Sequence, residues 1–147
     1  MARPRIVSTF FVFVVVEHEG HVLLVHEAKH GQLWYAPAGG LEPGESIREA
    51  AIRETEEEAG VRVEPTGLLR VEQRWFPGTS GPEGWWRFVV RARVDPRATS
   101  IAPKRVADHH SLEARWVRPS AIAEYPLRGA EVHDLVALAL ATPGVPL

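Results

Sequence analysis

Apolar and polar positions follow two different periods along this chain. Ile6 to Val16 is an almost unbroken apolar run, and a run so rich in Val and Phe reads as a strand covered on both faces. Glu17-His18-Glu19-Gly20 supplies a turn and His21 to His26 resumes the strand pattern, which predicts an antiparallel hairpin. Ala28 to Gln32 reads as a polar loop, and Leu33 to Ala36 as a short strand ended by Pro37. Ala38 to Glu45 holds three glycines and a proline, the composition of a tight, irregular loop.

The period then becomes helical. Ser46 with Glu49 matches a capping box, Ser46 to Ala59 has no internal Gly or Pro, and Gly60 supplies a left-handed stop. Val61 to Trp75 predicts one or two strands, Pro77 to Gly84 a connecting loop, and Trp85 to Val94 the returning strand of a second hairpin. Asp95 to Ser111 is a longer polar loop, Ala114 to Val117 a short strand, and Pro119 to Ala123 a brief helical turn. Gly129 to Ala141 predicts a terminal helix with Val132, Leu135, Val136, Ala139 and Leu140 at helical spacing. Strands interleaved with two helices imply an α/β fold, a mixed sheet between helices, in a single domain over residues 1–147.

Composition narrows the chemistry. A net charge of -2 gives no global attraction to nucleic-acid polymers or anionic membranes, so an acidic ligand needs a local site. The absence of cysteine excludes disulfides, thiolate metal sites and a cysteine nucleophile. Arg3 and Arg5 before the first apolar run superficially resemble a secretory signal, but charged Glu17 stands where a small-residue cleavage site belongs. A cytoplasmic location is the expectation.

Acid is concentrated in one place. Between Glu45 and Glu58 six glutamates face only Arg48 and Arg53. At about 100° per residue, Ile47, Ala50, Ala51, Glu54 and Glu58 share one side of the helix with Glu57 at its margin, while Glu49 and Glu56 point to solvent. Carboxylates three and four apart repel, and partly burying them costs several kcal/mol per ion, roughly, unless something compensates. A hard divalent cation, Mg²⁺ or Mn²⁺, does so with oxygen ligands and substrate phosphate in its shell. Zinc is disfavoured without cysteine or paired histidines on this helix.

Gly39, five residues, Glu45, seven residues, then Arg53-Glu54-Thr55-Glu56-Glu57-Glu58-Ala59-Gly60-Val61 resembles the box of the Nudix (MutT-like) hydrolases. Thr55 stands where the pattern usually has an aliphatic residue, a difference expected to affect packing only. The resemblance implies an α/β/α sandwich and a Mg²⁺- or Mn²⁺-dependent hydrolase of nucleoside diphosphates linked to another group. It implies metal ligation by Glu54, Glu57 and Glu58 with the backbone carbonyl of Ala38, and orientation of the acids by Arg53. Glu45 matches the first glutamate of the box, a secondary metal or base candidate. The base is either a box glutamate or one on a later loop, for which Glu113 is the candidate; Glu113 reads equally as a surface strand residue. His109 and His110, just before it, read as phosphate contacts or as exposed loop residues.

Specificity lies outside the box. Trp34, Tyr35, Trp75, Phe76, Trp85 and Trp86 offer stacking surfaces, of which Trp34, Tyr35 and Trp75 are the substrate-binding candidates, with Arg74 and Arg87 as phosphate or base contacts. Trp34 to Gly39, Glu42 to Glu45 and Leu112 to Trp116 resemble the branch acting on oxidised guanine nucleoside diphosphates. Pro77 matches a placement associated with ADP-ribose pyrophosphatases, but it lies in a Pro/Gly-rich turn where proline needs no functional reason. Dinucleoside polyphosphates are a further alternative substrate class. The expected partner is a small nucleotide, with a homodimer as the family's common assembly. The alternative of another class, a Nudix-fold module that binds without turnover, has little reason to keep three acids on an apolar face.

Overall fold

The computed structural model describes residues 2–3 and 5–147. Strand β1 (Val7–His18) turns into β2 (His21–Glu27) through Glu19 and Gly20, whose φ values of 47° and 77° are the two left-handed positions a tight hairpin turn requires. The two strands pair only at Glu17 with Val22 and His18 with His21. Beyond that they part. β1 takes β4 (Ala38–Gly40) as an antiparallel neighbour and β6 (Gly81–Val94) as a parallel one, whereas β2 pairs with β3 (Trp34–Tyr35) and β7 (Ser111–Val117). β5 (Val63–Gly78) completes the sheet beside β6. The separation of β1 from β2 opens the space in which the site lies.

Alternation along β1 explains the layers. Phe13 and Val15 face a core shared with Val132, Leu135, Val136 and Ala139 of α2 (Glu131–Ala141). Val12, Val14 and Val16 face a second core shared with Ala50, Ala51 and Ala59 of α1 (Ile47–Ala59). A sheet covered by a helix on each face is the α/β/α sandwich expected, and it is why this strand carries no polar stripe. Among the described residues no helix is long and apolar enough to cross a membrane.

Several boundaries differ from the sequence reading. β1 is covered on both faces only from Val12 to Val16; Val7 and Phe10 are exposed because they continue along β6 past the helices. The first three residues of the expected Ala38 to Glu45 loop form β4, since tertiary pairing with Phe11 to Phe13 outweighs glycine's weak strand preference. Pro77 to Gly84 is mostly ladder: pairing continues through Pro77 with Pro82 and Gly78 with Gly81, leaving a two-residue turn at 79–80. Proline is tolerated there because this exposed two-stranded ribbon leaves backbone donors free to be absent. Val61 to Trp75 contributes one long strand, whose register shifts between Pro65 and Gly67 and between Leu68 and Arg70. In α2, which starts at Glu131 rather than Gly129, Leu140 turns outward.

Candidate active site

The caps of α1 set the rotational phase of its acids. Glu49 N–H donates to Ser46 Oγ at 3.1 Å, and Ser46 N–H donates to the Glu49 carboxylate at 2.8 Å, the reciprocal box expected. Gly60, at φ 69°, ends the helix with its N–H on Glu56 O at 2.9 Å. With the phase fixed, Glu49 and Glu56 are exposed, Glu57 is half-buried, and Glu54 and Glu58 are only 9% and 7% exposed. Thr55 is fully buried and its hydroxyl donates to Ala51 O at 2.7 Å, so the atypical residue packs without an orphaned polar group.

Arg53 organises the acids. Its Nε and Nη2 donate to the two carboxylate oxygens of Glu45 at 2.7 and 2.9 Å, and Nη2 also donates to Gly40 O at 2.9 Å. Nη1 donates to Glu54 at 2.8 Å and to Glu57 at 3.2 Å. Bonding to Arg53 holds the Glu45 carboxyl below the usual carboxylate range. Glu45 therefore acts as the anchor of the arginine. Burial pushes Glu54 the other way, upward, with Arg53 opposing.

Glu58 is the most perturbed of the set, pushed up to about 9 by burial, against the lowering effect of a bond from Ala38 N–H and with the charges of Glu54 and Glu27 adding to the rise. The Ala38 bond is 3.1 Å long. Gly39 supplies the room: a Cβ there would overlap the Glu54 carboxylate. Two neighbouring carboxylates that resist ionising together, all-oxygen in chemistry and held in place by a guanidinium and a backbone N–H, fit a hard divalent cation. The set is not closed in advance. Among the described residues no three acidic or histidine side chains form a ready ligand group, and Glu57 turns toward Arg53 on the other flank of the helix.

Glu54 and Glu58 line a cavity of about 570 Å³ together with Ala38 and Gly39. Phe11, Tyr35, Trp85 and Arg87 also line it, as do Glu27, Arg128, Lys29, His30, His109 and His110. Phe11 and Trp85 lie 5.4 Å apart, ring centre to ring centre. The Tyr35 hydroxyl donates to Glu131 at 2.6 Å and accepts from Arg87 at 2.8 Å, and burial raises its pKa well above the usual phenol value. Arg87 is itself buried, bonded to both Glu72 oxygens at 3.1 Å and stacked 5.3 Å from the Trp85 ring.

Of the residues anticipated from sequence, Ala38, Glu54, Glu58, Tyr35, Arg87, His109 and His110 line the cavity, with Arg53 and Glu57 alongside on α1 and Glu45 just before it. Trp34, Arg74, Trp75 and Glu113 are elsewhere. Trp34 is core, stacked on His26 at 4.7 Å and edge-on to Tyr125, because the alternation of β3 sends it to the opposite side from a ligand. Arg74 and Trp75 are exposed on the β5–β6 ribbon, although Arg74 approaches Trp85 at 5.8 Å. Glu113 lies on β7 rather than on a loop, ion-paired with Arg115 and opposite His26 in the ladder, outside the cavity lining. Trp85, one of the aromatics offered as a stacking surface, does line the cavity, whereas Phe11, Glu27 and Arg128 were not anticipated as site residues. Glu27 had a signal, a lone charge closing an apolar strand; Arg128 had none.

An α/β/α sandwich with an acid-lined helix against a glycine-bearing strand, at the end of an aromatic cavity, defines a Nudix protein. The NUDIX domain pattern matches residues 6–137, and the chain belongs to that family. It is 43% identical over 128 residues to the human protein named 8-oxo-dGDP phosphatase NUDT18, covering 86% of this chain and 36% of that one. Phosphatase NudJ of Escherichia coli O1:K1 is 34% identical over 125 residues, covering 84% of this chain and 74% of NudJ. A NUDIX hydrolase structure from Nitrosomonas europaea superposes with a TM-score of 0.74 at 27% identity, covering 95% of this chain and 93% of that one. The chain spans about a third of the length of the NUDT18 proteins it matches.

Proposed function

We propose that this chain hydrolyses the pyrophosphate bond of a small nucleotide, releasing a nucleoside monophosphate, with oxidised guanine nucleoside diphosphates as the substrate class. The observation that carries this reading is the buried pair Glu54 and Glu58 in the wall of a cavity that also presents the aromatic rings Phe11, Tyr35 and Trp85. The activity in the name of the NUDT18 relatives and the resemblance of Trp34 to Gly39, Glu42 to Glu45 and Leu112 to Trp116 to the branch acting on oxidised guanine nucleotides support the substrate class.

Glu54, Glu57 and Glu58, with the carbonyl of Ala38, would hold Mg²⁺ or Mn²⁺. Enzymes of this family generally need a divalent metal, which neutralises phosphate charge and lowers the pKa of water. The chain's own residues do the rest. Arg53 fixes the acids, Gly39 leaves their space open, and Phe11, Tyr35 and Trp85 bind and orient the base. Water attacks one phosphorus as the bridging P–O bond breaks; its proton passes to a box carboxylate, and the leaving phosphate departs with the bridging oxygen. Glu54 is the acid we assign as the base, since it lines the cavity and burial raises its pKa despite the bond from Arg53. Glu45, its pKa lowered by two bonds from Arg53, and Glu113 both lie outside the cavity lining.

The test is release of 8-oxo-dGMP and phosphate from 8-oxo-dGDP with Mg²⁺, in wild type and Glu57→Gln. Turnover lost in the variant supports the assignment. A wild-type-like rate in the variant removes Glu57 from the metal set, and binding without turnover in wild type favours a non-catalytic module.

A further inference from the structure

Arg128 lines the cavity, where Tyr35, Glu27, Glu54 and Glu58 are also found. Its Nη1 donates to Glu27 Oε2 at 2.9 Å, its guanidinium carbon lies 4.8 Å from the Tyr35 ring centre, and its backbone N–H donates to Trp34 O at 2.9 Å. The side chain is thus fixed at its tip, at its flank and at its root. Glu27 is 7% exposed, and its other oxygen, Oε1, is buried with no hydrogen-bond partner among the described residues. Burying a carboxylate with an orphaned oxygen is a costly way to gain one ion pair. The arrangement makes sense if placing the guanidinium is its purpose.

The Arg128 side chain is 37% exposed, and a guanidinium carries five N–H donors, more than Glu27 uses. Those donors suit an acceptor on a ligand in the cavity. Phosphate is expected beside Glu54 and Glu58, with the compensating cation. The Arg128 guanidinium lies over the Tyr35 ring, one of the aromatic surfaces of the cavity on which a base can stack. Guanine presents the O6 acceptor on its major-groove edge, where a guanidinium is its commonest specific partner; adenine presents an N6 donor at the same place.

We propose that Arg128 is a specificity-determining residue that reads the 6-oxo group of a guanine-type base, with Glu27 as the residue that positions it. This rests on the nucleotide-hydrolase reading above. The same guanidinium would repel the 6-amino group of adenine, donor against donor.

The test is kcat/KM with Mg²⁺ on three diphosphates: dGDP, dADP and 2-aminopurine deoxyriboside diphosphate, which keeps the purine and its 2-amino group but lacks the 6-oxygen. Wild type should prefer dGDP over the other two by roughly 10- to 100-fold. Arg128→Ala should narrow that gap to within about threefold, the mark of coupling between side chain and 6-oxygen. Glu27→Gln should raise KM for dGDP more than it lowers kcat. Equal wild-type rates on dGDP and the 2-aminopurine substrate overturn the proposal without needing any variant to fold. An equal loss on all three substrates in Arg128→Ala also overturns it, assigning Arg128 to phosphate or to the fold. A wild type that cleaves none of the three, nor 8-oxo-dGDP, defeats the hydrolase reading itself, a result distinct from an active enzyme without base preference.

Discussion

Arg53 divides its donors among three carboxylates and a carbonyl, and a lysine in its place would have no planar fork to match that set. Arg53→Lys should therefore lower metal affinity or activity by about 10- to 100-fold, the usual cost of a lost supporting residue, while the melting temperature in chelator changes little. Titration calorimetry with Mn²⁺ checks it. Glu58 gives a pH prediction with a definite sign. Its folded pKa, about 9 against an ordinary 4.5, means that the metal-free fold holds a proton the unfolded chain has released. Stability of the metal-free protein should consequently fall as pH rises through the window from 4.5 to 9. Metal binding, which needs the ionised carboxylate, should become tighter and release protons over the same window. Melting curves in chelator and in Mg²⁺ at several pH values decide this: the two should diverge as pH rises, and parallel curves would show that Glu58 carries no such burden.

At the scale of elements, the site is the contact of α1 with β4. Gly39→Ala places a methyl group where the Glu54 carboxylate sits, on a strand whose pairing with β1 leaves little room to retreat. The expected outcome is a folded protein with turnover reduced on the order of 100-fold, because misplacement of about an ångström carries that cost; circular dichroism and a rate measurement separate the two effects. The helix half of this contact was legible in sequence because everything that sets it is local. Ser46 and Gly60 mark the ends, and 3.6-residue periodicity divides Glu49 and Glu56 from Glu54 and Glu58. The strand half was not legible, since β4 exists only through pairing with Phe11 to Phe13, a neighbour distant in sequence. The same limit explains Trp34 and Glu113, whose residue types fit a site but whose strands turn them away from the cavity. Arg128 needs the approach of the segment before α2, which no pattern near residue 128 announces.

At the scale of the whole molecule, one strand carries both cores and one wall of the cavity. Phe13 is fully buried on the α2 side of β1, edge-on to Tyr35 at 5.1 Å and 5.4 Å from the Arg87 guanidinium. Phe13→Ala should destabilise the fold by about 3–5 kcal/mol in urea denaturation, and it should raise KM as Tyr35 and Arg87 lose their support. The cavity is thus a product of the sandwich: α1 brings the acids from one face, the segment leading into α2 brings Arg128 from the other, and the parting of β1 and β2 leaves the space between. The most direct test of this division of labour is the rate of phosphate release from 8-oxo-dGDP at saturating Mg²⁺, wild type against Glu58→Gln. Turnover to the monophosphate, slowed on the order of 10²- to 10⁴-fold in the variant, is the predicted result; an inactive wild type, or a variant as fast as wild type, would contradict it.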